Sequence, residues 1–456
     1  MRFWHVLLLD KVRSSYWFAT SAVVLGAVIL VILIQYIDGL MDVSQFWLLG
    51  WMDNIGPDGA RAVLSTIAGS TITVTGVIFS ITIVALTMAS SQFGPRLLSS
   101  FMKSGYTQWA LGTFIGCFIY CLLVLVRIPE ASSGIPVPYL SVLIGVALGI
   151  FSFMVLIYYI HHTATMMRAP VIIETVGNEA IATFQRVFPC SDDTGNLDSE
   201  QSAEFSGDTT NYKTSVVIRA VNGGYIQTLE IKTLIEIAQE FDGLIEMDVR
   251  PGQHLIPNQQ IAYVFCDRII DTDELSQDVL GTLVLGAERT SAQDAEFALD
   301  QLVEIAVRSL SPGINDPFTA IQCIDRIEII LATLSERTLN HPIQCDDLGT
   351  PRVLLKILTY EGIVNTAFNA IRQNSLNQPP VLIRLIDVIG SLVELTTDYD
   401  MREALLNQAW LIYDCAVNRF VSDSDRQEFE QRCVYFGIIS PDEALTPPEK
   451  LTADII

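Results

Sequence analysis

Residues 62–95, Ala62 to Pro95, read AVLSTIAGSTITVTGVIFSITIVALTMASSQFGP, which is 34 consecutive positions without a charge. As one helix rising about 1.5 Å per residue the stretch is about 51 Å long. The hydrocarbon core of a bilayer is about 30 Å thick. Such a helix must tilt, kink or protrude from the membrane. Its apolar heart, Val63–Ser91, has three companions: Tyr16–Ile37, Trp109–Val126 and Tyr139–Ile160. Each approaches or exceeds the roughly 20 residues a crossing helix needs. The first is too long for the apolar region of a signal peptide and has no small-residue cleavage site close behind it. The chain therefore reads as an α-helical membrane protein with four transmembrane helices.

Composition agrees. The 456 residues are 50% hydrophobic and 17% charged, with a mean hydropathy of +0.40. Soluble domains carry about 25% charged residues. The net charge of −24 argues against nucleic acid, since neutralising phosphates takes a Lys/Arg surface. That charge is unevenly spread. Residues 1–168 hold eight Lys/Arg and six Asp/Glu, and residues 169–456 hold 19 and 45. The break sets a transmembrane domain at 1–168, followed by a strongly acidic cytosolic part.

Orientation follows the Lys/Arg bias. Arg2, Lys11 and Arg13 precede the first span, Arg96 and Lys103 lie between the second and third, and Arg168 follows the fourth. Arg61 and Arg127 fall on the other side. Six against two places both termini in the cytoplasm. Phe46, Trp47 and Trp51 suit an interfacial aromatic belt in the outer loop. The eight cysteines show no CxxC spacing, as expected in a reducing compartment, and neither a disulfide nor a zinc framework is expected. His161-His162, with Met166 and Met167 following, lacks the ligand number and spacing of a metal site.

The second span is rich in hydroxyls. Thr66, Thr73, Ser80 and Thr87 recur every seven residues, with Ser70 and Ser91 filling the i+4 positions. Ala62, Gly69 and Gly76 form an adjacent small-residue line. Heptad spacing keeps one face turned toward a neighbour. Two readings fit. In one, small residues let helices pack closely and hydroxyls bond across or back onto their own helix. In the other, the same helix from several subunits lines a water-filled pore. Gly94-Pro95 ends the helix, which leaves Arg96 as a positive-inside anchor or as part of a charged ring at a pore mouth.

In the cytosolic part, 171–188 reads as a helix and 189–213 as an acidic loop. Residues 169–270 thus comprise this membrane-proximal segment and a small β module: Ser215–Ala220, a turn at Asn222-Gly223-Gly224, a returning strand Tyr225–Ile231, a helix over 232–241, and strands Leu244–Arg250 and Ile261–Cys266. Val249-Arg250-Pro251-Gly252 followed by Asn258-Gln259-Gln260 resembles half of a lipoyl-like barrel sandwich, but no Lys stands where a cofactor would attach. Residues 271–456 read as a helical domain, with helices near 275–287, 291–310, 317–339, 352–374, 379–399, 401–421 and 423–436. Between the second and third lies Leu310-Ser311-Pro312-Gly313-Ile314-Asn315-Asp316-Pro317. Asp316-Pro317 reads as an N-cap with Pro at N1. The Gly, Pro and Asn of this loop suit either a plain turn or a ligand-binding loop.

Three stretches together resemble a family of bacterial inner-membrane proteins known as a domain of unknown function. They are Leu64–Ser70 with Val77–Thr82, then Ala89-Ser90-Ser91-Gln92-Phe93-Gly94-Pro95-Arg96, then the Leu310–Pro317 loop. The resemblance implies a multi-pass protein of the bacterial cytoplasmic membrane, with four spans followed by an acidic domain. It supplies no catalytic residue. Where the family commonly has Ser before the proline, this chain has Gly94.

No Walker loop, GxSxG elbow or HExxH occurs, so no enzyme is expected and no cofactor. The spans carry no internal charge, which argues against a proton-coupled transporter. Two functions stay open. One is an oligomeric passive channel lined by the second span, with the acidic domain raising local cation concentration and so weakly favouring cations. The other is a membrane-anchored sensor or scaffold whose acidic domain binds a soluble partner. The expected partners are the lipid bilayer and further copies of the chain.

Overall fold

The computed structural model describes residues 16–40, 56–94, 105–129, 137–189, 212, 214–267 and 271–440. The chain divides into two compact units, Met1–Val171 and Ile172–Ile456.

Among the described residues, the first unit contains four helices long and apolar enough to cross a membrane. They are α1 (Tyr16–Leu40), α2 (Pro57–Phe93), α3 (Gly105–Arg127) and α4 (Tyr139–Met166). The third is the hub and packs against all three others. One apolar cluster gathers Leu64, Cys117, Tyr120, Cys121, Val124 and Val142, and another gathers Ile78, Phe114 and Tyr159. Hydrophobic attraction does not drive helices together in lipid, so close backbone approach has to do so. Glycines supply it twice. A Cβ on Gly112 would lie 3.0 Å from Val23 Cβ, where α1 crosses α3. One on Gly145 would lie 2.6 Å from Leu64 Cδ2, where α2 crosses α4.

Polar groups close one end of this bundle. The Asp38 carboxylate accepts from the backbone N–H groups of Leu140 (3.2 Å) and Ser141 (3.0 Å) and from the Ser141 hydroxyl. It thereby satisfies orphan donors at the α4 N-terminus, where the helix dipole favours an anion. Arg61 donates to the Ile128 carbonyl at 2.8 Å, just past the end of α3. A cation at a helix C-terminus is favourable for the same reason. One of the two cations that run against the Lys/Arg bias thus has a structural post.

All but the first three residues of α5 (Ala169–Val187) belong to the second unit, which then alternates short strands and helices: β1 (Thr214–Arg219), β2 (Gly224–Leu229), α6 (Ile231–Glu240), β3 (Leu244–Met247), β4 (His254–Leu255), β5 (Gln260–Cys266), α7 (Thr272–Gly281) and β6 (Leu283–Gly286). Helices α8 (Ala295–Ser309) and α9 (Pro317–Ser335) follow, then β7 (Ile343–Cys345) and β8 (Pro351–Leu354). The bundle continues with α10 (Tyr360–Asn374), α11 (Pro379–Leu395), α12 (Tyr399–Ala416) and α13 (Asp423–Tyr435). The strands form a five-stranded sheet ordered β1-β5-β3-β8-β7 and a three-stranded sheet ordered β4-β2-β6. Ile218, Ile245, Leu255, Val264 and Val353 bury their side chains in one core shared by both sheets and α6.

Three local expectations change. The Asn222-Gly223-Gly224 turn does not close a hairpin. β1 pairs with β5 along its whole length, and β2 pairs with β4 and β6 in the other sheet. Ala220 is instead tied to the next turn, donating to Gln259 O and accepting from Asn258 N at 2.8 Å each. The helix expected over 275–287 ends at Gly281, and Leu283–Gly286 is a strand beside β2. Residues 351–354 are a strand parallel to β3, and the next helix starts only at Tyr360 behind the Thr359 N-cap. Short apolar runs of this kind look alike as helix and as buried strand, and only a waiting sheet edge decides.

Candidate functional site

The hydroxyl-rich face of α2 lies opposite its packed face. Ala60, Leu64, Ala68, Thr71, Ile78, Ala89 and Phe93 are buried within the unit. Thr66, Ser70, Thr73, Ser80, Thr87 and Ser91 are all exposed. Gly69 and Gly76, on the same outward side, have no atom within 4 Å of where a Cβ would stand. The hydroxyls turn back onto their own helix. Thr66 donates to Ala62 O (2.7 Å), Thr73 to Gly69 O (2.8 Å), Ser80 to Gly76 O (3.0 Å) and Thr87 to Ile83 O (2.8 Å). Ser91 donates to Met88 O at 2.9 Å. Back-bonding satisfies the donor of a hydroxyl in an apolar medium and leaves its two lone pairs to accept from a neighbour. The helix has 37 residues and so extends about 55 Å, well past the hydrocarbon thickness.

Its end is sharp. Gly94 donates to Ser90 O and sits at φ +112°. That conformation suits glycine and would strain the Ser common in the resembling family. Phe93 is buried and Gln92 exposed, while Pro95 and Arg96 lie outside the described residues. So do Arg2, Lys11, Arg13, Phe46, Trp47, Trp51, Lys103 and nearly all of the 189–213 loop.

In the second unit, the Leu310–Pro317 stretch forms a tight turn. Asp316 caps α9, accepting from Phe318 N (3.1 Å), Thr319 N (3.2 Å) and the Thr319 hydroxyl (2.7 Å). Pro317 is the first helical residue. Asn315 takes the left-handed conformation, φ +50°, and its Oδ1 accepts from Gln378 Nε2 at 2.9 Å. Ser311 donates to Arg308 O at 2.6 Å, while Pro312 and Gly313 are exposed. Ser311, Pro312 and Asn315 border an open cleft of about 660 Å³ whose other wall carries Gln373, Asn374, Asn377 and Gln378. A row of carboxamides offers paired donors and acceptors and no net charge.

A second cavity, of about 400 Å³, opens among α5, β2, the β3–β4 turn and the segment after β8. Its lining includes Phe188, Leu229, Val249, Leu355 and Leu358. Three cations, Arg186, Arg250 and Lys356, share the lining with no acid. Arg250 pairs with Glu296 at 2.7 Å, and Lys356 donates to Asp248 O at 3.0 Å with the Asp248 carboxylate 3.7 Å away. Arg186 donates to the Thr183 hydroxyl at 3.3 Å. Sequence reading missed this cavity because its cations are scattered over 170 residues and meet only through the fold. A faint signal exists in the runs Leu355-Lys356-Ile357 and Val249-Arg250-Pro251, each a lone cation between apolar residues.

A rigid ionic cluster stands beside this region. Arg289 grips the buried Asp294 carboxylate through two contacts (2.8 and 3.0 Å) and Asp300 through one (2.7 Å). Asp294 also caps α8 through Phe297 N at 3.0 Å. Further along, the Arg352 guanidinium and the Thr350 N–H hold Asp346 well below the usual carboxylate range, at about 2. Among the described residues no group of His, Cys, Asp and Glu is placed to hold a metal ion.

Comparison with known proteins bears on both units. Residues 13–391 match the family described as Predicted membrane protein (DUF2254). Two relatives described as uncharacterised proteins, one from Mycobacterium bovis and one from Mycobacterium tuberculosis, are each 28% identical over 376 residues. Each match spans 81% of this chain and 70% of the relative. No solved structure matches the chain.

Proposed function

The chain belongs to the family of predicted membrane proteins just described, and from that premise we propose that it assembles as a homo-oligomer in the bacterial cytoplasmic membrane and forms a passive pore around α2. The observation that carries this reading is the outward face of that helix. Inside the protomer, glycines of α3 and α4 are spent on close helix contacts. Gly69 and Gly76 of α2 face outward beside a line of self-satisfied hydroxyls. Small residues and hydroxyls are what membrane helices present to one another. Neutral hydroxyls are also what a passive pore can present to water. Both termini are cytoplasmic in this reading, and the 45 acidic residues after position 168 enrich cations near the membrane, which gives a weak cation preference. The protein catalyses no reaction.

Reconstitution in planar bilayers tests the pore. Discrete conductance that changes when Thr73→Cys or Ser80→Cys is labelled with a charged thiol reagent supports it. Silence under all voltages and tensions, from protein shown to be folded and inserted, refutes it. In that case the carboxamide cleft beside the Leu310–Pro317 turn favours the other reading, a membrane-anchored sensor or scaffold. Alkaline phosphatase fused after Ile456 tests topology and is expected to be inactive.

A further inference from the structure

We propose that the 400 Å³ cavity in the second unit is a binding site for a free single-chain amphiphilic anion, with an apolar body seated against Phe188, Leu229 and Leu358 and an acidic head group held by Arg186 and Lys356. This inference stands whether or not the membrane helices conduct. It rests on four observations.

The first is composition against background. Residues 169–456 hold 45 acids and 19 bases, yet the cavity lining has three cations and no acid. The lining thus gathers cations against the charge of the domain, with Glu296 and Asp248 the acids just outside it. The second is the pairing pattern. Arg250 is fixed by Glu296, whereas Arg186 contacts only a hydroxyl among the described residues and Lys356 has its nearest carboxylate at 3.7 Å. Two of the three cations therefore keep donors for an incoming anion. The third is lining chemistry: ten of the sixteen lining residues are apolar, with Thr228, Gln293 and Asn340 the neutral polar ones. Small-molecule sites have this make-up, mostly apolar with a few convergent polar groups, and span about 300–1,000 Å³. At the low end of that range, one chain fits better than two. The fourth is Thr228, a residue of the cavity lining whose hydroxyl is buried without a hydrogen-bond partner. Buried hydroxyls are normally satisfied, and a bound carboxylate or phosphate oxygen would supply the missing acceptor.

The test uses the full chain in phosphatidylcholine nanodiscs and isothermal titration against empty discs. The probes are octanoate, octyl phosphate, octanol and octylammonium. Saturable one-site binding of octanoate or octyl phosphate is expected, at least tenfold tighter than either uncharged or cationic probe. The double variant Arg186→Gln, Lys356→Gln should weaken it at least fivefold, and Ala292→Phe, which fills the cavity, should abolish it. Leu358→Trp serves in the same role if Ala292→Phe lowers the unfolding temperature. Equal binding of octanol and octanoate overturns the charge assignment. Binding that survives both filling variants places the probe elsewhere and overturns the site. Loss of probe binding in discs that contain phosphatidylglycerol would make a two-chain lipid the occupant and overturn the single-chain assignment.

Discussion

Two glycine substitutions, made side by side, separate contacts inside the protomer from contacts between protomers. At Gly145 a Cβ would stand 2.6 Å from Leu64 Cδ2, about 1 Å inside ordinary carbon–carbon contact of roughly 3.5–4.0 Å. Leu64 is fully buried and cannot swing clear. Overpacking of this kind costs about 1–3 kcal/mol for added methylenes. Replacing Gly with a better helix former returns at most about 1 kcal/mol. Gly145→Leu, with three more carbons beyond the Cβ, should therefore destabilise the protomer by about 2 kcal/mol or more. At Gly76 a Cβ would meet no atom within 4 Å in the protomer, so unfolding of Gly76→Leu should be unchanged or slightly harder. Its expected effect is on assembly, where a bulky side chain blocks a small-residue interface. Thermal unfolding in a mild maltoside detergent reads the first effect, and native mass spectrometry of the same samples reads the second. Gly145→Leu with wild-type stability, or Gly76→Leu with wild-type mass, would refute the division of α2 into an inner and an outer face.

Other consequences are smaller in scope. Asp38→Ala removes the cap on α4 and should lower stability by about 0.5–2 kcal/mol, with Asp38→Asn recovering much of it, as read by the same unfolding assay. Asp294→Ala removes both the α8 cap and a buried partner of Arg289; the expected loss is about 3 kcal/mol, the low end for a broken buried pair because Asp300 stays. A loss under about 1 kcal/mol in chemical denaturation would contradict this. Asp346, held at about 2 by Arg352, stabilises the second unit fully above the ordinary carboxylate value of about 4 and loses that contribution as pH falls through 2. Asp346→Asn should flatten the acid limb of the unfolding temperature between those values. Glu328 and Glu430 run the other way, since burial raises both and favours their protonated forms in the folded state. Their opposite slope should persist in Asp346→Asn.

The four spans were legible because a bilayer imposes one coarse rule, length and apolarity, and 62–95 obeys it regardless of tertiary detail. The N-cap at Asp316 and the helix stop at Gly94 were legible because each is decided within a few residues. The Asp38 and Arg61 posts were not, since each acts on a helix end far away in sequence, 102 and 67 positions on. The same limit hid β6 and β8. Leu283–Gly286 and Pro351–Leu354 became strands because β2 and β3 offered free edges, which no local pattern reports. The heptad spacing of the hydroxyl stripe was legible, but its outward aim depended on where Ala60, Leu64 and Ile78 found partners. The cationic cavity was invisible for a similar reason, with cations supplied from positions 186, 250 and 356.

The central claim is that the outward face of α2 meets water inside an assembly of identical chains. Site-resolved thiol labelling of the reconstituted protein tests it most directly, with Cys at 66, 73, 80 and 87 compared with Cys at 67 and 74. Ile67 and Val74 pack within the protomer, the native Cys117 and Cys121 are buried there, and Cys190, the exposed Cys345 and the half-buried Cys415 are first replaced by Ser to lower the background. Reagents attack the thiolate, which hardly forms in hydrocarbon. The account predicts rapid reaction with a membrane-impermeant reagent at all four heptad positions and protection at 67 and 74. Uniform protection at 66, 73, 80 and 87 would contradict it and leave the stripe as a dry interface or a lipid-facing surface.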